Sequence, residues 1–217
     1  MTPLRIPSWR TALIAGSITG TVLALVMAIM LWRADPARTA PHQVVVPAPA
    51  SSSPSGDIPP VPPSDDPVGF ARSVATTVFA WDTTAPIPLD AYSDRVVAVG
   101  DPSGFETPGL VADVARYLPT AEAWEFLSRY ATRQWLDITA AVVPASWPGI
   151  VANAPEGALA EGTTAVTIDG VRHRAGVWEG KAVHDRFTVS FTVFVVCGPT
   201  YPTCHVLRLG ALDTPLR

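Results

Sequence analysis

The stretch RFTVSFTVFVVC, Arg186 to Cys197, decides the fold. It sends Phe187, Val189, Phe191, Val193 and Val195 to one side and Thr188, Ser190 and Thr192 to the other. A period of two sustained this long is the signature of a half-buried β-strand. Downstream, Cys197 and Cys204 enclose Gly-Pro-Thr-Tyr-Pro-Thr, which reads as a hairpin tip, and His205 to Leu212 returns as a strand. Upstream, Arg133 to Val143 is rich in β-branched and aromatic residues, and Thr163 to Ile168 runs into Asp169-Gly170, a two-residue hairpin turn, before Val171 to Trp178. The expectation is four or five antiparallel strands.

The preceding part has a different period. Asp66 reads as an N-cap with Pro67 in the first turn, followed by Ala71, Val74, Ala75, Val78 and Phe79 at three- and four-residue spacing. Further helical regions are predicted from Leu89 to Val99, from Gly109 to Leu118, and from Thr120 as N-cap through Tyr130, with Gly100 to Gly104 a loop. Helices first and strands after argue for an α+β domain over residues 67–217, helices on one face of a curved antiparallel sheet.

Before this domain lie two segments of other character. Residues 33–66 are Pro-rich, with Ser51-Ser52-Ser53 and Pro59-Pro60-Val61-Pro62-Pro63. So little apolar surface cannot offset ordering entropy, so a disordered spacer with polyproline-II stiffness is expected. Residues 11–32, TALIAGSITGTVLALVMAIMLW, hold no ionisable side chain and lie between Arg10 and Arg33. A helix of that length spans roughly 33 Å, enough to cross a bilayer. A cleaved signal would have a shorter apolar core and a small-residue cleavage site. Ala12, Gly16, Gly20, Ala24 and Ala28 recur every four residues, a small-residue stripe of the kind that packs helices in lipid, although such residues are also common in membrane helices generally. Arginines balance across the segment. The cysteine pair, suited to an oxidising compartment, therefore decides the orientation: residues 1–10 cytoplasmic, the domain outside the plasma membrane.

Charge narrows the function classes. The formal net charge is −4, and the part after Pro67 holds 11 basic and 15 acidic residues without a basic cluster, so direct nucleic-acid binding is not expected. No G-x-S-x-G, H-E-x-x-H or Gly-rich phosphate loop occurs, and no cofactor or catalytic residue is assigned. Cys197 and Cys204 fit a disulfide across the hairpin. The competing arrangement, zinc held by Cys197, Cys204, His205 and either His173 or His184, lacks the usual C-x2-C or paired-His spacing. His173, within Arg172-His173-Arg174, reads as a solvated strand face. Asp169, Asp137 and Tyr92 are the acids and phenol that a pocket in such a fold could use. Trp81, Trp124, Trp135 and Trp178 read as core where helices meet sheet, and Trp147, in Ser-Trp-Pro-Gly, as an exposed loop residue open to partners.

Five stretches carry a resemblance: Phe79-Ala-Trp-Asp-Thr, Arg116-Tyr-Leu-Pro, Thr132-Arg-Gln-Trp, Arg172-His-Arg-Ala-Gly-Val-Trp-Glu-Gly and Phe191-Thr-Val-Phe-Val-Val-Cys. With the anchor and spacer, they make the chain resemble actinobacterial conjugal-transfer proteins, the bitopic assembly subunits of type IV secretion machines of the VirB/TcpC type. The resemblance implies a cone-shaped domain of the nuclear transport factor superfamily and a scaffold without enzymatic activity that oligomerises and contacts other channel subunits during DNA transfer. Two other readings share the architecture: a membrane-tethered accessory of a lipid or solute transporter, of the Mce-associated type, binding a small apolar ligand; and a cone-fold isomerase or dehydratase. An open apolar pocket would favour the transporter accessory, whereas a filled cone with an exposed apolar patch would favour the scaffold.

Overall fold

A computed structural model describes residues 58–217. The tail 1–10, the segment 11–32 with its stripe of Ala12, Gly16, Gly20, Ala24 and Ala28, and the spacer as far as residue 57 lie outside the described residues. Helix α1 (Pro67–Phe79) begins where expected, with the Asp66 carboxylate accepting from the Val68 and Gly69 amides at 3.1 and 2.8 Å. It buries Phe70, Ala71, Val74, Ala75, Val78 and Phe79. Strand β1 (Trp81–Asp82), helices α2 (Leu89–Val97), α3 (Thr107–Ala115) and α4 (Ala121–Ser128), strand β2 (Arg133–Val142) and helix α5 (Trp147–Asn153) follow. Strands β3 (Thr163–Trp178), β4 (Lys181–Val196) and β5 (His205–Leu209) complete the sheet. All neighbours are antiparallel, in the order β1-β2-β3-β4-β5. The fold is α+β, a curled sheet with α1 lying along the inner face of β2, β3 and β4.

The concavity between α1 and the sheet is filled. Phe79, Tyr117 and Phe191 meet at ring-centroid distances of 5.3–5.7 Å, surrounded by Val74, Val78, Ile168, Val193 and Val195. Near α3 the core also takes a charge. Asp113 is fully buried and accepts from Arg208 Nε at 2.6 Å, Arg208 Nη2 at 3.1 Å and the Leu209 amide at 3.0 Å, with Arg116 donating as well. Burial alone would raise that carboxyl, but the Arg208 fork, the Leu209 amide and the Arg116 charge outweigh it and hold it below its ordinary value.

Several expectations are corrected. Asp169-Gly170 is no turn: β3 runs unbroken for 16 residues, and the hairpin closes at Glu179-Gly180, whose φ of 49° and 74° suit a two-residue hairpin turn. Gly170 is required instead by close approach. A Cβ there would stand 2.8 Å from the Asp137 carbonyl oxygen, next to the bulge in β2 between Ile138 and Ala140 that bends the sheet. Residues 58–66, read as spacer, lie against the domain: Val61 joins the core and the Ser64 carbonyl accepts from the Cys204 amide at 2.7 Å. Nor do helices keep to one face. Trp147, read as exposed, is only 7% exposed, because α5 sets its indole over Phe194 on the outer face. There the C-terminal residues also lie, Asp213 N donating to Ser190 O at 2.7 Å and Leu216 N to Thr192 Oγ1 at 2.9 Å. Cys197 and Cys204 form the disulfide expected of them, with Cα atoms 4.1 Å apart.

Candidate interaction site

Along the inner face the strand register sets out side chains in rows, and the rows change character at one end. Val166 opposite Val193 and Ile168 opposite Phe191 belong to the core. Beyond Gly170 comes the row Leu136, Arg172, Phe187, and beyond that Trp81, Gln134, Arg174, Asp185. The same alternation that buries Ile168 thus brings two arginines onto the concave side. Here the helical cover is thinner. Trp124 of α4 closes one wall against Trp81 and Tyr92 at 5.6 and 5.5 Å, and Tyr130 stacks on Trp178 at 4.8 Å.

Arg174 donates to Gln134 Oε1 at 2.8 Å and stands 5.3 Å over the Trp81 ring. Burial, then the like charge of Arg172, pull its guanidinium below the ordinary value, while Asp185 opposes them. Arg172 stands 5.3 Å over Phe187 and has neither hydrogen bond nor ion pair of its side chain among the described residues. Arg95 has a structural duty, donating to the Thr77 and Ala80 carbonyls that end α1. The rim is apolar and wet: Phe126, Trp178, Val183 and Phe187 are each about half exposed, Phe187 at 52% and Trp178 at 50%. Of these, Phe126 packs on Tyr130, which stacks on Trp178, while Phe187 stands three rows away opposite Arg172.

A second cluster occupies the outer face. His173 Nε2 lies 2.9 Å from Asp137 Oδ2, His173 Nδ1 lies 3.0 Å from His184 Nε2, and both imidazoles stack on Trp135 with planes within 6°. Arg133 stands 5.6 Å from the ring of Trp135. This is a hydrogen-bonded relay on a sheet surface, and no Ser, Thr or Cys side chain bonds to either imidazole among the described residues.

The residues singled out from sequence are therefore dispersed. Tyr92 is in the concave wall, its hydroxyl bound to the Asp82 backbone at 3.1 Å and its phenol raised by burial. Asp137 is in the outer relay. Asp169, also outer, is held by Arg217 at 3.0 and 3.1 Å and by Ser190 Oγ at 2.5 Å. Those three do not form one site. His205 packs against Tyr201 beside the disulfide, whereas His173 and His184 sit toward the far end of the long hairpin, so the sulfur and imidazole groups of the zinc alternative are not brought together. Among the described residues no three His, Cys, Asp or Glu side chains are arranged to hold a metal ion. Of the four tryptophans read as core, Trp81 is buried and Trp124 packs beside it; Trp135 lies on the outer face and Trp178 on the open rim. Arg172 and Arg174 were not singled out. The signal was present: continuing the alternation of Val166 and Ile168 through Asp169-Gly170 places both arginines on the apolar face.

No family model matches the chain, and no curated protein matches it. Among solved structures, a periplasmic fragment of TraM is similar at 13% sequence identity with a TM-score of 0.37, over 65% of this chain and 93% of that one.

Proposed function

We propose that this chain is a non-enzymatic, membrane-anchored assembly subunit of a conjugative DNA-transfer channel of the type IV secretion kind. Residues 11–32 span the plasma membrane, residues 1–10 face the cytoplasm, and the α+β domain stands outside, where it contacts other channel subunits and further copies of itself. One observation carries the choice of scaffold over ligand carrier: the cone is filled by Phe79, Tyr117 and Phe191, while apolar side chains are exposed at its open end. A carrier of a small apolar ligand needs an open apolar pocket in that interior, the space these three rings occupy.

The test is made in the strain that carries the gene. Deletion is expected to abolish plasmid transfer, and a photo-crosslinker at Phe187 to capture other channel subunits. Transfer unaffected by the deletion, or lipid copurifying one-to-one with the chain, would overturn the reading. The small-residue stripe has its own check: Gly16→Ile with Gly20→Ile weakens crosslinking within the membrane if the stripe packs helices, and leaves it unchanged if not.

A further inference from the structure

The open end of the concave face gathers two like charges with little to balance them. Arg172 and Arg174 stand two residues apart on the same side of β3, and Asp185 is the carboxylate that faces them across the sheet. The Nε atoms of both arginines, and Nε1 of Trp81 in the same row, are shielded from water without a hydrogen-bond partner among the described residues. A shielded donor without a partner costs about 1–3 kcal/mol, more when charged, and like charges so close add repulsion. The nearest helix presents Glu122 and Glu125 at its surface, yet neither reaches either guanidinium. What the surface lacks is an anion with several acceptor lone pairs.

The surroundings say what such an anion is attached to. Phe187, half exposed, faces Arg172 across the hairpin, and two rows beyond Arg174 the half-exposed Trp178 borders a cleft of about 130 Å³ between α4 and the hairpin, lined by Leu127, Tyr130, Arg174, Trp178, Val183 and Asp185 among others. At about 30 Å³ per water, that volume suits one apolar side chain rather than a long lipid tail. A nucleic-acid backbone would need a broader run of cations than a domain of net negative charge supplies.

We propose that this face binds an extended segment of a partner protein carrying an Asp or Glu beside an aromatic or aliphatic residue. The carboxylate bridges Arg172 and Arg174, and an apolar neighbour on the Arg174 side enters the cleft against Trp178. Guanidinium forks take carboxylates bidentately, and each such charge-assisted bond outweighs a neutral one. The inference rests on the docking role proposed above and names the chemistry of the partner.

The experiment uses the full chain in detergent and two fluorescein-labelled peptides, Glu-Phe-Glu-Leu-Glu and Gln-Phe-Gln-Leu-Gln, followed by fluorescence anisotropy. The acidic peptide is expected to bind at least about tenfold more tightly, and to lose about tenfold with Arg172→Gln or Arg174→Gln, whereas Arg129→Gln on the exposed end of α4 leaves it unchanged. Circular dichroism melts show that the variants are folded, and Arg172→Lys, which keeps charge and loses the fork, is expected to lie between. Equal binding of both peptides, binding that survives both substitutions, or no binding of the acidic peptide overturns the proposal. So does self-association of the free chain that both Gln substitutions abolish, because the occupant is then a second copy. Peptide binding in a chain whose deletion spares plasmid transfer would refute the channel assignment alone and leave the site standing.

Discussion

The two ends of the inner sheet face hold their charges in opposite ways. At the closed end Asp113 is wholly buried and every acceptor position is used, by Arg208, Arg116 and the Leu209 amide. At the open end two arginines share a row boundary with one carboxylate, and two of their nitrogens are shielded without partners. Asp113 stands on α3 with its partners Arg208 and Leu209 on β5, whereas Arg172 and Arg174 stand on β3. Asp113 is saturated from within, whereas Arg172, with no hydrogen bond or ion pair of its side chain among the described residues, leaves its guanidinium to be met from outside.

The largest break in that comparison is expected at Asp113. Asp113→Ala removes the acceptor for two arginines and a buried amide, and is expected to cost about 3 kcal/mol in a urea titration at neutral pH. The pH dependence follows from the direction of its shift. A carboxyl held below its ordinary value stabilises the fold fully above about pH 4, the unfolded value, and that contribution is lost as pH falls through the lower folded value. The wild-type chain should therefore lose stability on acidification more steeply than Asp113→Asn. Parallel pH curves for the two would show that the ion pairs contribute nothing. Next in size is the disulfide at the same end. Cys197→Ala with Cys204→Ala opens an eight-residue loop and is expected to lower stability by roughly 2–3 kcal/mol, which comparison of melts with and without reductant checks independently.

That closed end was also the more legible in the sequence. Asp66 before Pro67, the apolar spacing of α1 and the period-two run from Val189 to Val195 each follow from local chemistry that tertiary contacts reinforce, and the hairpin cysteines joined as expected. The open end misled for an identifiable reason. Asp169-Gly170 has the composition of a hairpin turn, but the glycine is there because β2 comes too close for a side chain, a fact only the paired strand reveals. Splitting β3 at that point hid the alternation that places Arg172 and Arg174 inside. Trp147 failed similarly: Ser-Trp-Pro-Gly has loop chemistry, and only the sheet beneath shows that the indole has Phe194 to cover. The Asp137–His173–His184 relay joins three strands, β2, β3 and β4, the last two across a hairpin whose turn lies at Glu179-Gly180, so no spacing in the chain announced it.

The smallest expected effects discriminate best between the two ends. Arg174→Met strips the buried Gln134 of the donor to its carbonyl oxygen and removes the cation over Trp81, so a loss of about 1–2 kcal/mol is expected. Arg172→Met removes a charge that no hydrogen bond holds. The loss of its contact with Phe187 is offset by relief of repulsion at Arg174 and of a shielded, unpartnered nitrogen, so stability should stay within about 0.5 kcal/mol of wild type. A residue half buried at the edge of a core, yet removable without loss of stability, is retained for something other than folding. If Arg172→Met instead destabilised the chain as much as Asp113→Ala, the arginine would be a structural member like those at the closed end, and the distinction between the two ends would be gone.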